Sequence, residues 1–190
     1  MIVLIGESGS GKTSVENILC NEYNYERIIS YTTRDPRLEE INHESYHFIT
    51  RNEFEQLVDS GFFVEFAEYN ENLYGTAKED CGVNKVLVVE SQGLLQLQNI
   101  KNLNILSFYL SSPELTRYIR MSDRGDDLKK VFSRIRNDRT AFKGVEKNVD
   151  YIIDNNTYTD LNEIAVCIDE IYQKFKITNK KKGRKKNEKV

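Results

Sequence analysis

The apolar run Ile2–Ile5 stops at Gly6, and from Lys12 to about Glu22 the apolar positions recur at helical spacing. A strand-length run, a glycine-rich turn and an amphipathic stretch predict the order strand, loop, helix. Arg27–Ile29 predicts a second short strand, and the polar stretch Ser30–Asn42 predicts a loop. Tyr46–Ile49 and Phe62–Tyr69 have strand composition on either side of a helix over about Asn52–Ser60, and Leu73–Gly75 closes another strand. Val86–Val89 and Ile105–Leu110 are continuous apolar runs of the kind found in strands buried on both faces, and a helical segment follows each. Ser112-Pro113-Glu114 starts a helix with Pro in its first turn, and Arg124-Gly125-Asp126-Asp127 interrupts two helical stretches. Val149–Ile153 predicts the last strand and about Asp160–Phe175 a closing amphipathic helix. After Lys176 the hydrophobic period is lost, which predicts a disordered tail over 176–190. Strands alternating with helices predict an α/β fold with a mostly parallel sheet. The block from Ser30 to Asp80 has denser strands of antiparallel type and reads as an insertion; there is no internal repeat.

Composition narrows this picture. At 190 residues the chain suits one domain with small inserted subdomains, large enough to hold a core without covalent staples. Its three cysteines, Cys20, Cys81 and Cys167, are odd in number and widely spaced, so neither a disulfide framework nor a CxxC metal site is expected. Reduced thiols, the lack of a membrane-length apolar run and the lack of a signal-like segment imply a soluble protein of the cytoplasm. The net charge of −3 conceals a polarity: Lys174–Val190 carries +8 and the rest of the chain −11. An acidic body argues against a nucleic-acid-binding core, although the basic tail alone could touch polyanions.

Gly6-Glu7-Ser8-Gly9-Ser10-Gly11-Lys12-Thr13 fits G-x-x-x-x-G-K-[ST] without a mismatch, after a strand and opening a helix. Small residues let backbone N–H groups turn inward around phosphate oxygens, and the helix N-terminus adds partial positive charge. Lys12 is then the cation for the β- and γ-phosphates, and the Thr13 hydroxyl, followed by Ser14, is the ligand for Mg²⁺. The expected donor is ATP. Such a loop leaves open whether the chain is a kinase, GTPase, ATPase or motor, so the second substrate decides.

Ser30-Tyr31-Thr32-Thr33-Arg34-Asp35-Pro36-Arg37 puts two guanidinium groups three residues apart, with Tyr46 and Tyr74 further on. Two Arg forks and two phenols suit a phosphate monoester. A buried Glu65 would accept from both the ring N–H and the exocyclic amine of guanine, whereas adenine would leave a lone pair unmet. Taken singly these residues are ordinary strand aromatics, a surface acid and a solvated pair; their joint spacing argues for a site. With S-x-T-T-R-x-P-R, then an acid, Y-x-F, E-x-A and Y-G-[ST] in register, the chain resembles the guanylate kinases from Ile2 to about Phe175. The resemblance implies a P-loop NTPase-type parallel sheet flanked by helices, with an inserted NMP-binding subdomain (30–81) and a helical lid (122–139). The core is then 1–29, 82–121 and 140–175. It further implies that Arg34, Arg37, Tyr46 and Tyr74 hold the acceptor phosphate, with Glu40 beside them, and that Ser30, Glu65 and Thr76 read guanine. Glu39 could take the place of Glu40, and His43 stands near a usual glycine, so the loop from Arg37 to Tyr46 is expected to differ in shape.

The family's D-x-D-x-Q-G appears as Val88-Val89-Glu90-Ser91-Gln92-Gly93, so the second acid is kept as Glu90 and the first is replaced by Val88. Glu90 is expected to meet the guanine amine or Mg²⁺-bound water, and Val88 to reduce turnover or alter base preference. Arg117, Arg120, Arg124, Arg134, Arg136 and Arg139 crowd the lid region. By resemblance Arg124 and Arg134 close on the phosphates, with Arg120 assisting and Arg139 a further candidate. The competing reading is an ordinary basic face, with Glu114 pairing Arg117 at helical spacing and Arg136 in solvent. Asp154-Asn155 matches the family's strand end near adenine, with little chemistry expected of it.

These residues imply ATP-dependent phosphorylation of GMP or dGMP, with Lys12, Arg34, Arg124 and Arg134 as the catalytic cations. The alternative of a different class is a guanylate-kinase-like binding module that holds a phosphorylated protein segment in the acceptor cleft. A deoxynucleotide kinase of shifted base preference lies between them. The implied partners are small-molecule nucleotides, with no membrane, and the oligomeric state is open between monomer and dimer.

Overall fold

The structure is a computed structural model; it describes all residues except 39, 157, 158 and 188–190, with side chains described as far as residue 179. Its centre is strand β1 (Ile2–Ile5), whose four residues are all fully buried because the strand has a neighbour on each edge and helices on both faces. Helix α1 (Lys12–Glu22) follows, then β2 (Glu26–Arg27). After the inserted block come β7 (Lys85–Val88), α3 (Ser91–Gln98), β8 (Leu106–Ser111), α4 (Glu114–Asp123), α5 (Leu128–Ala141), β9 (Tyr151–Asp154) and α6 (Leu161–Asn187). The sheet order is β2-β7-β1-β8-β9 and every pairing in it is parallel.

The period of two in β1 divides the core. Ile2 and Leu4 join Val15, Leu19, Phe108, Leu110, Ile164 and Ile168 on the side of α1 and α6. Val3 and Ile5 join Leu87, Val89, Leu94, Leu97, Tyr109 and Phe142 on the side of α3. Both faces being covered is what parallel sheets require, and it accounts for the unbroken apolar runs of β1, β7 and β8. The carboxyl end of β1 therefore opens between two strands at the middle of the sheet, the position where open α/β sheets bind ligands.

The inserted block builds a second sheet, β4-β3-β6-β5, from β3 (Tyr31–Thr32), β4 (His47–Phe48), β5 (Phe63–Tyr69) and β6 (Asn72–Ala77). Its antiparallel pairs are β3/β6 and β5/β6, while β3/β4 is parallel. Helix α2 (Arg51–Asp59) begins at a capping box in which Thr50 and Glu53 each satisfy the other's backbone N–H. Its fully buried Phe54 stacks on Phe63, and a Cβ at Gly75 would lie 2.9 Å from the Phe54 ring. The helical hairpin α4/α5 has its own small core of Met121, Val131 and Ile135.

Two expectations are corrected. The stretch Ser30–Asn42 is not all loop, because Tyr31 and Thr32 hydrogen-bond as β3, too short a strand to show a period. The tail expected to be disordered from 176 continues α6 as far as Asn187, since Lys and Arg are good helix formers and need no apolar period to extend a helix already begun. Residues 188–190 of that tail lie outside the described residues. Among the described residues no helix is long and apolar enough to cross a membrane.

Leu110 is fully buried on the α1/α6 face, and truncating it leaves a cavity in that layer. Leu110→Ala should lower unfolding free energy by about 2–5 kcal/mol, read from urea denaturation by circular dichroism.

Candidate active site

The loop Gly6–Gly11 carries the chain from β1 into α1 as a tight turn closed by a hydrogen bond from Ser10 N to Glu7 O (3.1 Å). Gly11 caps α1 in the left-handed region (φ 92°), and a Cβ there would lie 2.5 Å from Asn155 Nδ2. Glycine alone meets both demands. Lys12 folds back so that Nζ donates to Gly6 O (2.5 Å) and Glu7 O (3.1 Å). Burial pushes its ammonium down from the usual range, while the nearby Glu90 and Asp138 carboxylates oppose that and Arg134 adds to it. Thr13 and Ser14 are exposed at the start of α1, their hydroxyls open to a ligand.

The acceptor side gathers from the second sheet. Arg34 Nη2 lies 2.9 Å from both oxygens of Glu40, and the same carboxylate accepts from Arg37 N (2.8 Å) and Arg37 Nη1 (3.3 Å). One carboxylate, Glu40, thus spans both guanidinium groups. Glu39 lies outside the described residues. The Arg34 guanidinium also sits over the Tyr46 ring (5.5 Å), and Tyr46 packs edge-on to Tyr74 (6.1 Å). His43 stands at φ 68°, in the left-handed region that a glycine adopts without strain.

Ser30, Tyr46, Glu65, Tyr74, Val88 and Glu90 line one pocket. At its floor Thr76 Oγ1 donates to Glu65 Oε1 (2.5 Å) and lies 3.5 Å from Ser30 Oγ. Gly93 is required here for space, because a Cβ would fall 2.4 Å from Glu65 Oε2. Burial raises the Glu65 carboxyl to about 7, helped by Glu90 and opposed by the Thr76 hydrogen bond. Burial likewise raises Glu90 to about 7, with Lys12 and Arg134 pulling the other way, and its Oε2 has no hydrogen-bond partner.

In the turn between α4 and α5, Asp126 accepts from Arg124 Nε (3.1 Å), Arg124 Nη2 (2.5 Å) and Arg134 Nη1 (3.0 Å). Despite partial burial, these guanidinium groups hold the Asp126 carboxyl below its usual range. Arg37 is lowered first by burial and then by the charges of Arg34, Arg134 and Arg124. The Arg134 charge thus acts on Lys12 and on Arg37 alike.

Other arginines are placed differently from the helical-face reading. Glu114 pairs with Arg139 (2.7 Å), not with Arg117, and this surface pair takes Arg139 away from the site. Arg136 is exposed. Arg117 is buried against Asp138 (2.8 Å). Arg120 Nη1 reaches Ser112 Oγ (3.1 Å) and its Nη2 reaches Asn155 Oδ1 (3.1 Å). Asn155 is fully buried and donates to Ser10 O (2.8 Å), so it braces the phosphate loop, a larger role than its sequence context suggests. Asp138 escapes a reading of motifs, and the motif that contains Asn155 does not disclose its bond to Ser10. Asp138, however, falls on the apolar face with Val131 and Ile135, where a charged residue signals a buried partner.

A glycine-rich strand-to-helix loop at the carboxyl end of the central strand of a parallel sheet flanked by helices marks the P-loop NTPase class. A family model described as Guanylate kinase matches residues 1–174. Guanylate kinase of Clostridium acetobutylicum is 32% identical over 171 residues, covering 86% of this chain and 78% of that one. Guanylate kinase of Geobacter metallireducens is 35% identical over 169 residues, covering 84% and 82%. The crystal structure of guanylate kinase from Anaplasma phagocytophilum superposes with a TM-score of 0.70 at 24% identity, covering 91% of this chain and 84% of that one, which supports the fold. The chain belongs to the guanylate kinase family.

Glu65, Glu90 and the buried Glu16 all titrate near 7 in the folded protein against an ordinary value of 4.5. Between those values the folded state holds more protons than the unfolded one, so stability falls as pH rises from about 4.5 to 7. Urea titrations at pH 5, 6 and 7.5 should show this slope. The double substitution Glu65→Gln/Glu90→Gln should flatten it and add on the order of 1–3 kcal/mol at pH 7.5.

Proposed function

We propose that the protein transfers the γ-phosphoryl group of ATP to the phosphate of GMP or dGMP, giving ADP and GDP or dGDP. The observation that carries this is the pairing, in one fold, of the Lys12 loop at the end of β1 with an inserted sheet that presents the Arg34–Glu40–Arg37 cluster and the buried Glu65–Thr76 pair. An acceptor phosphate already has nucleophilic oxygens, so no covalent enzyme intermediate and no strong base are needed. Catalysis is positioning and neutralisation of charge as one P–O bond forms and the bond to the ADP oxygen breaks.

On this reading residues 1–29, 82–121 and 140–175 form the core, 30–81 the acceptor subdomain and 122–139 the lid. The loop Gly6–Thr13 holds the donor phosphates, with Lys12 leaving its two carbonyl partners to meet them. Arg34, Arg37, Tyr46 and Tyr74 hold the acceptor phosphate, and Ser30, Glu65 and Thr76 read the guanine edge. Arg124 and Arg134 exchange Asp126 for phosphate oxygens as the lid closes and excludes water. Among the described residues no three His, Cys, Asp or Glu side chains converge as a metal cage. Mg²⁺ fits nonetheless, because it keeps waters and phosphate oxygens and takes one or two protein ligands. Thr13 would be that ligand, and the bound ion would neutralise charge between the phosphates. The unpartnered oxygen of Glu90 suits the guanine amine or an Mg²⁺-bound water. Val88 gives the pocket an apolar wall where the resemblance leads one to expect an acid, which favours reduced turnover. The free thiols of Cys20, Cys81 and Cys167 suit a reducing cytoplasm.

A coupled assay of ADP formation should show GMP or dGMP strongly preferred over AMP, CMP, UMP and dTMP. Comparable rates with AMP would remove the role given to Glu65, and ATP binding without turnover of any monophosphate would favour the binding module. Lys12→Ala should be nearly inactive, and Arg134→Ala should lose about 10³–10⁵ in kcat by analogy with other closing arginines.

A further inference from the structure

Asp138 has a side chain with no exposure and its partner Arg117 one with 4%, which makes theirs the most deeply buried of the ion pairs among the described residues. One carboxylate oxygen, Oδ2, accepts from Arg117 Nη1 (2.8 Å) and from the backbone Ser8 N (3.1 Å). The other, Oδ1, accepts from the Tyr69 hydroxyl and from Ser8 Oγ (3.4 Å), and Tyr69 and Ser8 hydroxyls lie 3.0 Å apart. Arg117 also donates from Nη1 to Ser8 O (3.3 Å) and from Nε to Ser112 O (3.3 Å). Four parts of the chain thus meet at one carboxylate: the phosphate loop through Ser8, α4 through Arg117, α5 through Asp138 itself, and the end of β5 in the acceptor sheet through Tyr69.

Buried ion pairs are poor sources of stability, because desolvation offsets most of the attraction, so this one needs another reason. Its geometry supplies that reason. Both backbone polar groups of Ser8 are taken by Asp138 and Arg117, which fixes the first half of the loop and leaves the N–H groups beyond it for phosphate. Asp138 also lies one helical turn beyond Arg134 on α5, so whatever moves the lid arginine moves the carboxylate that holds the loop. Tyr69 brings the acceptor sheet to the same point.

We infer that Asp138 is a positioning residue that shapes the phosphate loop through Ser8 and, with Tyr69, couples donor binding to the seating of the acceptor subdomain. This rests on the reading of the loop as the ATP site. A purely structural pair would change melting temperature and active fraction; a positioning pair changes nucleotide affinity in protein that remains folded.

The test uses the full chain and calorimetric binding of a non-hydrolysable ATP analogue, with and without GMP, beside steady-state KM and kcat. Asp138→Asn should weaken the analogue and raise the KM for ATP about tenfold, the scale of one charged hydrogen bond. The double substitution Arg117→Met/Asp138→Leu replaces the pair by apolar groups of similar size and should melt at or above the wild-type temperature. It should still bind the analogue about tenfold more weakly. Tyr69→Phe, at a half-buried position, should leave analogue affinity without GMP within about twofold and abolish the tightening that GMP produces. Wild-type affinities and wild-type coupling in the folded double and Tyr69→Phe variants overturn the inference. Absence of kinase activity in the unmodified protein, with analogue binding intact, would instead sink the phosphotransfer reading, because the binding arms need no turnover.

Discussion

Bringing five cations near one another is the constraint on which the rest of this structure depends. Lys12, Arg34, Arg37, Arg124 and Arg134 repel one another, and removing them from water strengthens that repulsion. The chain answers with carboxylates of its own. Glu40 spans Arg34 and Arg37, Asp126 spans Arg124 and Arg134, and Glu90 and Asp138 act on Lys12. Each acid sits behind or between the cations, so the arginines are aimed before any phosphate arrives. A preorganised site of this kind avoids reorganisation when charge develops during transfer. On the proposed function, the same acids would make binding reversible, since a guanidinium that releases a phosphate would return to a carboxylate and not to an empty apolar wall.

The base pocket obeys a different constraint. Glu65 is deep enough that its charge is disfavoured, and Gly93 at the first turn of α3 is the residue that makes the depth possible. A carboxylate that is expensive to ionise alone becomes comfortable once two donors face it, and guanine presents two donors on that edge. On the proposed function, discrimination would then come from the penalty on a wrong base and not from extra attraction to the right one. Glu90, a few residues before Gly93 and equally disfavoured as a charge, lies between base pocket and phosphate loop, which links recognition to the reacting end.

How far the sequence disclosed all this depended on whether partners are near in the chain. The phosphate loop was fully legible because its strand, glycines, lysine and helix are contiguous, so one local pattern carries both shape and chemistry. The acceptor candidates from Ser30 to Thr76 could be proposed only jointly, since each alone is an ordinary strand or loop residue. The braces were not legible. Asn155 meets Ser10 across 145 positions and Asp138 meets Ser8 across 130, and no spacing rule links them. The helical rule in fact suggested the wrong partner for Glu114, because Arg139 on the neighbouring helix competes with Arg117 on its own. Strand β3 was hidden by its length, and the extension of α6 by a helix propensity that leaves no apolar period.

The buried arginine on α4 shows why such braces escape notice and why they matter. Arg117 and Met121 lie one turn apart, and both are buried on the face that α4 turns inward. An apolar residue at position 117 would satisfy packing equally well and would need no partner. Choosing a guanidinium there obliges the chain to supply a carboxylate, and Asp138 on α5 provides it. Once that acid is present at the back of the phosphate loop, its second oxygen is free to take the Tyr69 hydroxyl. The pair therefore gives the meeting point of loop, α4, α5 and β5 a polar joint with directional bonds, where an apolar contact would fix only distance. On the proposed function, such directional bonds would return lid, loop and acceptor sheet to one relative orientation after every cycle of closure.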